Sequence, residues 1–132
     1  MSKSILYAVS SVAQSVVSTG SNITYETLVR KAGCNVALSG GNIVTKGEGY
    51  YDVYANLTFT ATAAGTAIVR LSKDGVAIPG ASAEFTTAEN STYAISIPCV
   101  IRNSCCRESN VVVNISGVAG TVVNASVEVK KF

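Results

Sequence analysis

Apolar and polar side chains alternate with a period of two along most of the chain. The longest such run predicts a strand over Gly49–Thr62. Successive side chains of a strand point to opposite faces, so this run separates into two sets. We expect one set to lie in the core: Tyr51, Val53, Ala55, Leu57 and Phe59. The other set is polar but rich in Tyr and Thr, which suits solvent or a subunit interface: Tyr50, Asp52, Tyr54, Asn56, Thr58 and Thr60.

Further short runs of the same kind are bounded by Gly, Asn, Asp and Ser, and they predict the remaining strands. These are Ile5–Ala13, Ile23–Val29, Cys34–Leu38, Ile43–Thr45, Ala67–Lys73, Ala81–Thr87, Tyr93–Ile101, Val111–Ile115 and Val122–Lys130. Asp74-Gly75 predicts a tight hairpin because Gly accepts positive φ, and Pro79-Gly80 predicts a second turn. Strands spaced by about 8 to 12 residues favour an all-β sandwich or jelly roll of about 8 to 10 antiparallel strands.

The length of 132 residues fits one domain, which can bury a real core without a metal or disulfide. Only 14% of the residues are charged, against about 25% in typical domains, which indicates that part of the surface is hidden in an assembly. We interpret residues 1–20 as an N-terminal strand or docking segment and residues 21–132 as the jelly-roll domain. The first 20 residues are expected to dock to a parent particle or to add an outer strand.

Charge and hydropathy exclude several partners. The net charge is +2 and no cluster of Lys and Arg occurs along the chain, so we expect no nucleic-acid partner. No apolar run approaches the roughly 20 residues of a membrane helix, so we expect no membrane partner. The apolar stretch Ile5–Val17 is interrupted by Ser and Gln, which favours a first strand over a signal peptide.

The side chains that catalysis usually needs are missing or dispersed. Histidine is absent, which removes the usual base near neutral pH and the commonest metal ligand. A carboxylate pair could form from Glu48 and Asp52, but a loop charge and a strand-surface charge explain these two residues better. No phosphate-binding loop or nucleophile motif is present. We therefore expect a non-enzymatic protein without a cofactor.

Four cysteines form the one unusual set of reactive side chains: Cys34, Cys99, Cys105 and Cys106. Adjacent Cys105 and Cys106 are poor partners for each other, because a bond between neighbours strains the intervening peptide. Three states stay open. The thiols can be reduced and packed as small apolar groups, can form disulfides that include Cys34 or Cys99, or can gather at a symmetry axis as a metal site. The sequence lacks the C-x-x-C spacing of common zinc sites.

Two segments resemble the C1q and tumour necrosis factor family. In the segment Ile43–Val53, an apolar residue stands six positions before Gly49 and is followed by the alternating Tyr51 and Val53, as in the opening signature of C1q-like domains. Val69–Val76 resembles a family strand that ends in Lys, a turn and an apolar return. Since domains of this family assemble as compact trimers, the resemblance implies a C1q/TNF-like jelly roll that forms a homotrimer.

The start Met1–Tyr7 and the segment Ile101–Cys106 also resemble small phage and prophage virion proteins of Gram-positive gut bacteria. This resemblance implies a structural protein of a virion, such as a head decoration protein, a head fibre or a tail-associated module. Its partners would be itself and capsid or other virion proteins, and it would be made in the bacterial cytoplasm. The alternative is a secreted or surface carbohydrate-binding adhesin. In either case the candidate interface or ligand residues are Tyr50, Tyr54 and Tyr93.

Overall fold

The computed structural model describes residues 4–104 and 107–132, and in these ranges every regular element is a strand. Each strand satisfies its backbone hydrogen bonds by pairing with neighbours, and all of these pairings are antiparallel. The strands are β1 (Ile5–Ser10), β2 (Gln14–Val16), β3 (Ser21–Ile23), β4 (Thr27–Ala32), β5 (Val36–Ser39), β6 (Asn42–Lys46), β7 (Gly49–Ala61), β8 (Gly65–Lys73), β9 (Val76–Thr87), β10 (Thr92–Asn103), β11 (Glu108–Ser116) and β12 (Gly120–Lys131). No described helix is long and apolar enough to cross a membrane.

The strands form two sheets that pack face to face as a jelly roll. The first sheet has the order β10-β7-β12-β1-β4, with β2 also on β12. The second has the order β5-β6-β11-β8-β9, with β3 also on β11. Consecutive strands mostly alternate between sheets, so the two central strands β12 and β11 lie far in sequence from several of their neighbours. The predicted fold class, an all-β jelly-roll sandwich, is confirmed.

The N-terminal segment is divided between two short strands. β1 pairs with the second half of β12, with Ser10 opposite Ala125, and β2 pairs with its first half, with Val16 opposite Gly120. Residues 11–13 separate the two strands, so the predicted strand Ile5–Ala13 ends early. β1 lies between β12 and β4 inside the first sheet, and β4 is the outer strand.

The predicted strand Ile23–Val29 is wrong, because the chain changes sheets within it. β3 pairs with β11 of the second sheet, whereas β4 pairs with β1 of the first. The crossing segment 24–26 is held by Gln14, whose Nε2 donates to the Thr24 carbonyl (2.7 Å) and whose Oε1 accepts from the Thr24 amide (3.0 Å). One side chain thereby replaces the missing ladder bonds on Thr24.

The core lies between the two sheets, and the alternation in β7 sets its centre. The five inward residues predicted from the sequence are buried, from Tyr51, Val53 and Phe59 at 0% exposure to Leu57 at 5%. Phe85 extends this core toward the sheet edge, with its ring centroid 6.4 Å from Phe59 and 5.2 Å from Tyr93. The predicted division of the longest strand into an inner and an outer face is confirmed.

One predicted turn forms and the other does not. Lys73 pairs with Val76, and Asp74 and Gly75 both have positive φ (52° and 84°), so the Asp-Gly hairpin is confirmed. Pro79-Gly80 does not reverse the chain. The pairing shifts there from Ser72 opposite Ala77 to Arg70 opposite Ser82, so these residues form a bulge inside β9, with Gly80 at φ 78°. β9 therefore begins at Val76 and not at Ala81.

Candidate interaction surface

The outer face of the first sheet brings three tyrosines together at one end of its strands. One row runs straight across five strands, because the register places Arg30 opposite Tyr7, Tyr7 opposite Glu128, Glu128 opposite Tyr54 and Tyr54 opposite Pro98. The neighbouring row consists of Ala32, Ile5, Lys130, Asp52 and Val100. Tyr50 lies one pair further along, opposite Arg102. We call this surface the tyrosine face: Ile5, Tyr7, Tyr50, Tyr54, Pro98 and Val100.

The tyrosine face is exposed, and the corresponding face of the second sheet is different. Tyr50 is 53% exposed, Tyr54 43% and Val100 54%. Among the described residues, the only exposed large apolar side chain in a strand of the second sheet is Val76, at the tip of the β8–β9 hairpin. The outer face of the second sheet instead carries a cross-strand row of Asn22, Asn114 and Arg70. The apolar surface is thus concentrated on one side of the sandwich.

The charges within the tyrosine face are arranged in pairs. Lys130 Nζ lies 2.8 Å from Glu128 Oε1, and Asp52 stands opposite Lys130 on the next strand. The Glu128 carboxylate raises the pKa of Lys130 through its hydrogen bond and its charge. The guanidinium of Arg102 lies 5.9 Å from the centroid of the Tyr50 ring. This surface therefore carries charge without a strong excess of either sign.

The far half of the same sheet face is uncharged, and on β7 and β10 it carries cross-strand hydrogen bonds. Ser96 Oγ donates to Asn56 Oδ1 at 2.6 Å, and the hydroxyls of Thr60 and Thr92 lie 2.9 Å apart. These cross-strand bonds use side-chain groups that solvent would otherwise satisfy. They make this part of the far half a fixed polar surface, in contrast to the aromatic end.

The structure separates the three tyrosines that the sequence singled out. Tyr50 and Tyr54 share the outer face, but Tyr93 stands opposite the buried Phe59 and packs inward against Phe85. Its hydroxyl accepts a hydrogen bond from the Ala88 amide at 2.8 Å. Sequence reasoning missed Tyr7, although its alternation with buried Leu6 and Ala8 places it on the outer face of β1.

The cysteines do not form one cluster among the described residues. Cys34 is exposed in the segment between β4 and β5, whereas Cys99 stands opposite Val53 and packs against the core. Burial, aided by the nearby charge of Asp52, raises the pKa of the Cys99 thiol to about 11. Neither is bonded to another described cysteine, and no group of three metal-ligating side chains occurs in the described part of the chain. Cys105 and Cys106 lie outside the described residues.

A groove follows the open edge of the sandwich, where the β8–β9 hairpin approaches β10. Its volume is about 420 Å³. Its charged lining residues are Lys73, Asp74 and Arg102. The rest of the lining is apolar: Val76, Ala77, Ile78, Pro79, Val100 and Ile101. Lys73 Nζ donates to the Arg102 carbonyl at 2.5 Å and thereby connects the β8–β9 hairpin to β10. Because Val100 belongs to both surfaces, the groove and the tyrosine face are continuous around the edge strand β10.

Comparison with known proteins identifies the fold. No family model and no curated protein sequence matches the chain. Among solved structures, murine APRIL at pH 5.0 superposes with a TM-score of 0.73 at 14% identity, covering 98% of this chain and 99% of that one. The globular domain of the zebrafish complement 1qA protein gives a TM-score of 0.71 at 11% identity, covering 96% and 94%. The chain is therefore a TNF- and C1q-like jelly roll over nearly its whole length.

Proposed function

We propose that the protein is a non-enzymatic homotrimer that serves as a structural module of a phage virion, as a head decoration, head fibre or tail-associated protein. The tyrosine face carries this proposal. It exposes Tyr50, Tyr54 and Val100 on one sheet face, and aromatic side chains are enriched at interfaces. One ion pair of this surface, Lys130–Glu128, is already formed within the chain, so covering these two residues leaves neither charge without a partner.

The edge groove supplies the second surface that a ring needs. In a threefold ring each subunit offers two different patches, because the interface repeats head to tail. The tyrosine face presents exposed aromatic side chains, whereas the groove is concave and lined by Val76, Ile78 and Pro79. The two surfaces meet at β10, so each subunit can contact one neighbour through its sheet face and the other through its edge.

Light scattering on paired lysine variants tests this arrangement. Tyr54→Lys places a charge at the centre of the tyrosine face, and Thr66→Lys places the same charge on an exposed position of the second sheet. We expect Thr66→Lys to keep a trimer mass and Tyr54→Lys to dissociate, because covering the new ammonium group removes it from water, which costs more than its attraction to Glu128 opposite returns. Circular dichroism confirms that both variants are folded. Equal masses for the two variants would contradict the assignment of the interface.

The virion role needs a separate experiment. Low charge, paired polar faces and the resemblance of Met1–Tyr7 and Ile101–Cys106 to virion proteins support it. In density-purified particles from an induced lysogen that carries this coding sequence, mass spectrometry should detect the protein at a fixed ratio to the capsid protein. Its presence only in the soluble fraction would contradict a virion role and leave the trimer proposal intact.

The second candidate function is carbohydrate binding by an adhesin. Tyr50 favours it, because its ring is half exposed at the end of the sheet, and because sugars commonly stack on exposed aromatic rings. Asp52, two residues away on the same face, offers a hydrogen-bond acceptor. Saturable glycan binding that Tyr50→Ala abolishes, and that Tyr93→Phe preserves, would support this candidate. A glycan array with no competable binding would remove it.

A further inference from the structure

The two ends of the sandwich carry opposite charge. We call the basal end the one formed by the described segments 31–35, 46–49, 73–76, 102–104, 107–108 and the last two residues. It holds six of the chain's ten cations and three of its eight carboxylates. The cations are Lys31, Lys46, Lys73, Arg102, Arg107 and Lys131, and the carboxylates are Glu48, Asp74 and Glu108. The described loops of the opposite end hold only Glu26 and Glu89, and no cation.

The basal end is a rigid platform, because its loops are hydrogen-bonded to one another. The Lys46 amide donates to the Asn35 carbonyl at 2.8 Å, and the Gly47 amide donates to the Arg107 carbonyl at 3.2 Å. Asn35 Nδ2 donates to the Lys46 carbonyl at 2.7 Å, and the buried hydroxyl of Tyr51 reaches the same carbonyl at 2.7 Å. The cations are therefore attached to a backbone that needs little ordering when a partner binds.

Two of these cations keep their charge available in the proposed trimer, which covers Lys73 and Arg102 in the edge groove. In the described ranges, Lys46 is paired with Glu108 at 3.6 Å, but neither Arg107 nor Lys131 belongs to an ion pair. Lys131 packs its stem over Gly49, beside the same turn that Arg107 contacts through its backbone. Arg107 precedes β11 of the second sheet, and Lys131 stands opposite the inward-facing Tyr51, so neither residue belongs to the outer face that carries the three tyrosines.

We infer that the basal end is a docking surface for an acidic protein surface on the particle that carries the trimer, an inference that rests on the proposed function. With the two sheets about 10 Å apart and five strands about 4.8 Å apart in each, one basal end offers on the order of 240 Å². This area is small for a specific interface, but the basal ends of three subunits together approach the roughly 800 Å² per partner of standard complexes. Three linked contacts also multiply the affinity.

The interspersed carboxylates favour a protein partner over nucleic acid. Glu48, Asp74 and Glu108 stand between the cations, and a closely spaced row of phosphates would meet them as like charges. A protein surface can set basic groups opposite these carboxylates and acidic groups opposite the cations. Mixed charge of this kind determines orientation and partner choice more than raw affinity.

The test measures binding of fluorescent poly-L-glutamate to the intact protein over a range of salt concentrations, with a short DNA duplex as comparator. Arg107→Gln and Lys131→Gln are studied singly and together. Arg70→Gln, which removes the same charge from the outer face of the second sheet, is the matched control. We expect the double variant to lower the slope of log K against log salt by about two, and Arg70→Gln to leave it near the wild-type value.

Three results would overturn the inference: no binding of polyglutamate at low salt, equal losses for Arg70→Gln and Arg107→Gln, or tighter binding of DNA than of polyglutamate. The last result would assign the surface to nucleic acid. Light scattering on the same samples separates the two proposals. A trimer mass with lost binding locates the defect at the basal end, whereas a changed mass reports on the tyrosine face.

Discussion

Replacing Tyr51 by Phe removes one hydroxyl from the base of the sandwich and leaves the ring in the core. The ring is fully buried, and the hydroxyl lies 2.7 Å from the Lys46 carbonyl oxygen and 2.9 Å from that of Gly47. It therefore fixes the β6–β7 turn against the long strand that follows. Burial raises the pKa of this hydroxyl, so it remains a neutral donor across the physiological range.

The size of the stability loss depends on which carbonyl oxygen is left without a hydrogen-bond partner. The Lys46 carbonyl keeps the bond from Asn35 Nδ2, whereas the Gly47 carbonyl loses its hydroxyl partner. One net hydrogen bond with one weakened acceptor costs about 1–2 kcal/mol of unfolding free energy. For a chain of 132 residues this corresponds to a Tm lower by about 4–7 °C.

Tyr50→Phe is the matched control, because the same atom is removed from the adjacent, half-exposed ring. Its unfolding free energy should stay within about 0.5 kcal/mol of the parent. Urea unfolding followed by circular dichroism, at one fixed protein concentration for all variants, measures both changes. If Tyr51→Phe is no less stable than Tyr50→Phe, the turn is held by other contacts and the account of the basal platform is incorrect.

Two further predictions concern single positions. Gly117→Ala should lower the free energy of unfolding by about 2–4 kcal/mol, since φ is +96° and an added Cβ would collide with the Thr66 carbonyl oxygen. Gly40→Ala, where φ is +59° and the space is open, should lower it by about 1–2 kcal/mol in the same urea assay. Site-resolved alkylation at pH 8 should modify Cys34 well before Cys99, whose pKa is raised from 9.0 to about 11. The folded state holds the Cys99 proton more tightly than the unfolded chain does. The protonated thiol therefore stabilises the fold below pH 9, and this contribution is lost as the pH rises through about 11. Equal alkylation rates, or equal costs for the two alanine variants, would refute the respective prediction.

The core was predictable because burial along β7 is a local property. Alternation places Tyr51 and Phe59 on one face whatever the rest of the chain does. The hairpin at Asp74-Gly75 was predictable for the same reason, since its two residues accept the required positive φ. The bulge at Pro79-Gly80 was not predictable because turns and bulges draw on the same residues, and only the pairing of β9 with β8 separates them.

The interaction surface was less predictable because it depends on register between distant strands. The sequence places Tyr54 on an outer face, but Tyr7 joins it only because Glu128 pairs with both residues. Tyr93 was assigned to the same set although its alternation with Ile95, Ile97 and Ile101 places it on the inner face of β10. The basal charge excess was equally hidden. Its cations are scattered along the sequence, and the jelly-roll topology alone gathers them at one end.

The native mass of the unaltered protein shows directly whether it assembles as a homotrimer. We would measure it by light scattering coupled to size exclusion, over a dilution series and with and without reductant. The account predicts three times the chain mass of 13.6 kDa in both redox conditions, because the proposed contacts run through the tyrosine face and the edge groove and not through disulfides. A mass of 13.6 kDa at all concentrations would contradict it, and a trimer that dissociates on reduction would assign assembly to the cysteines.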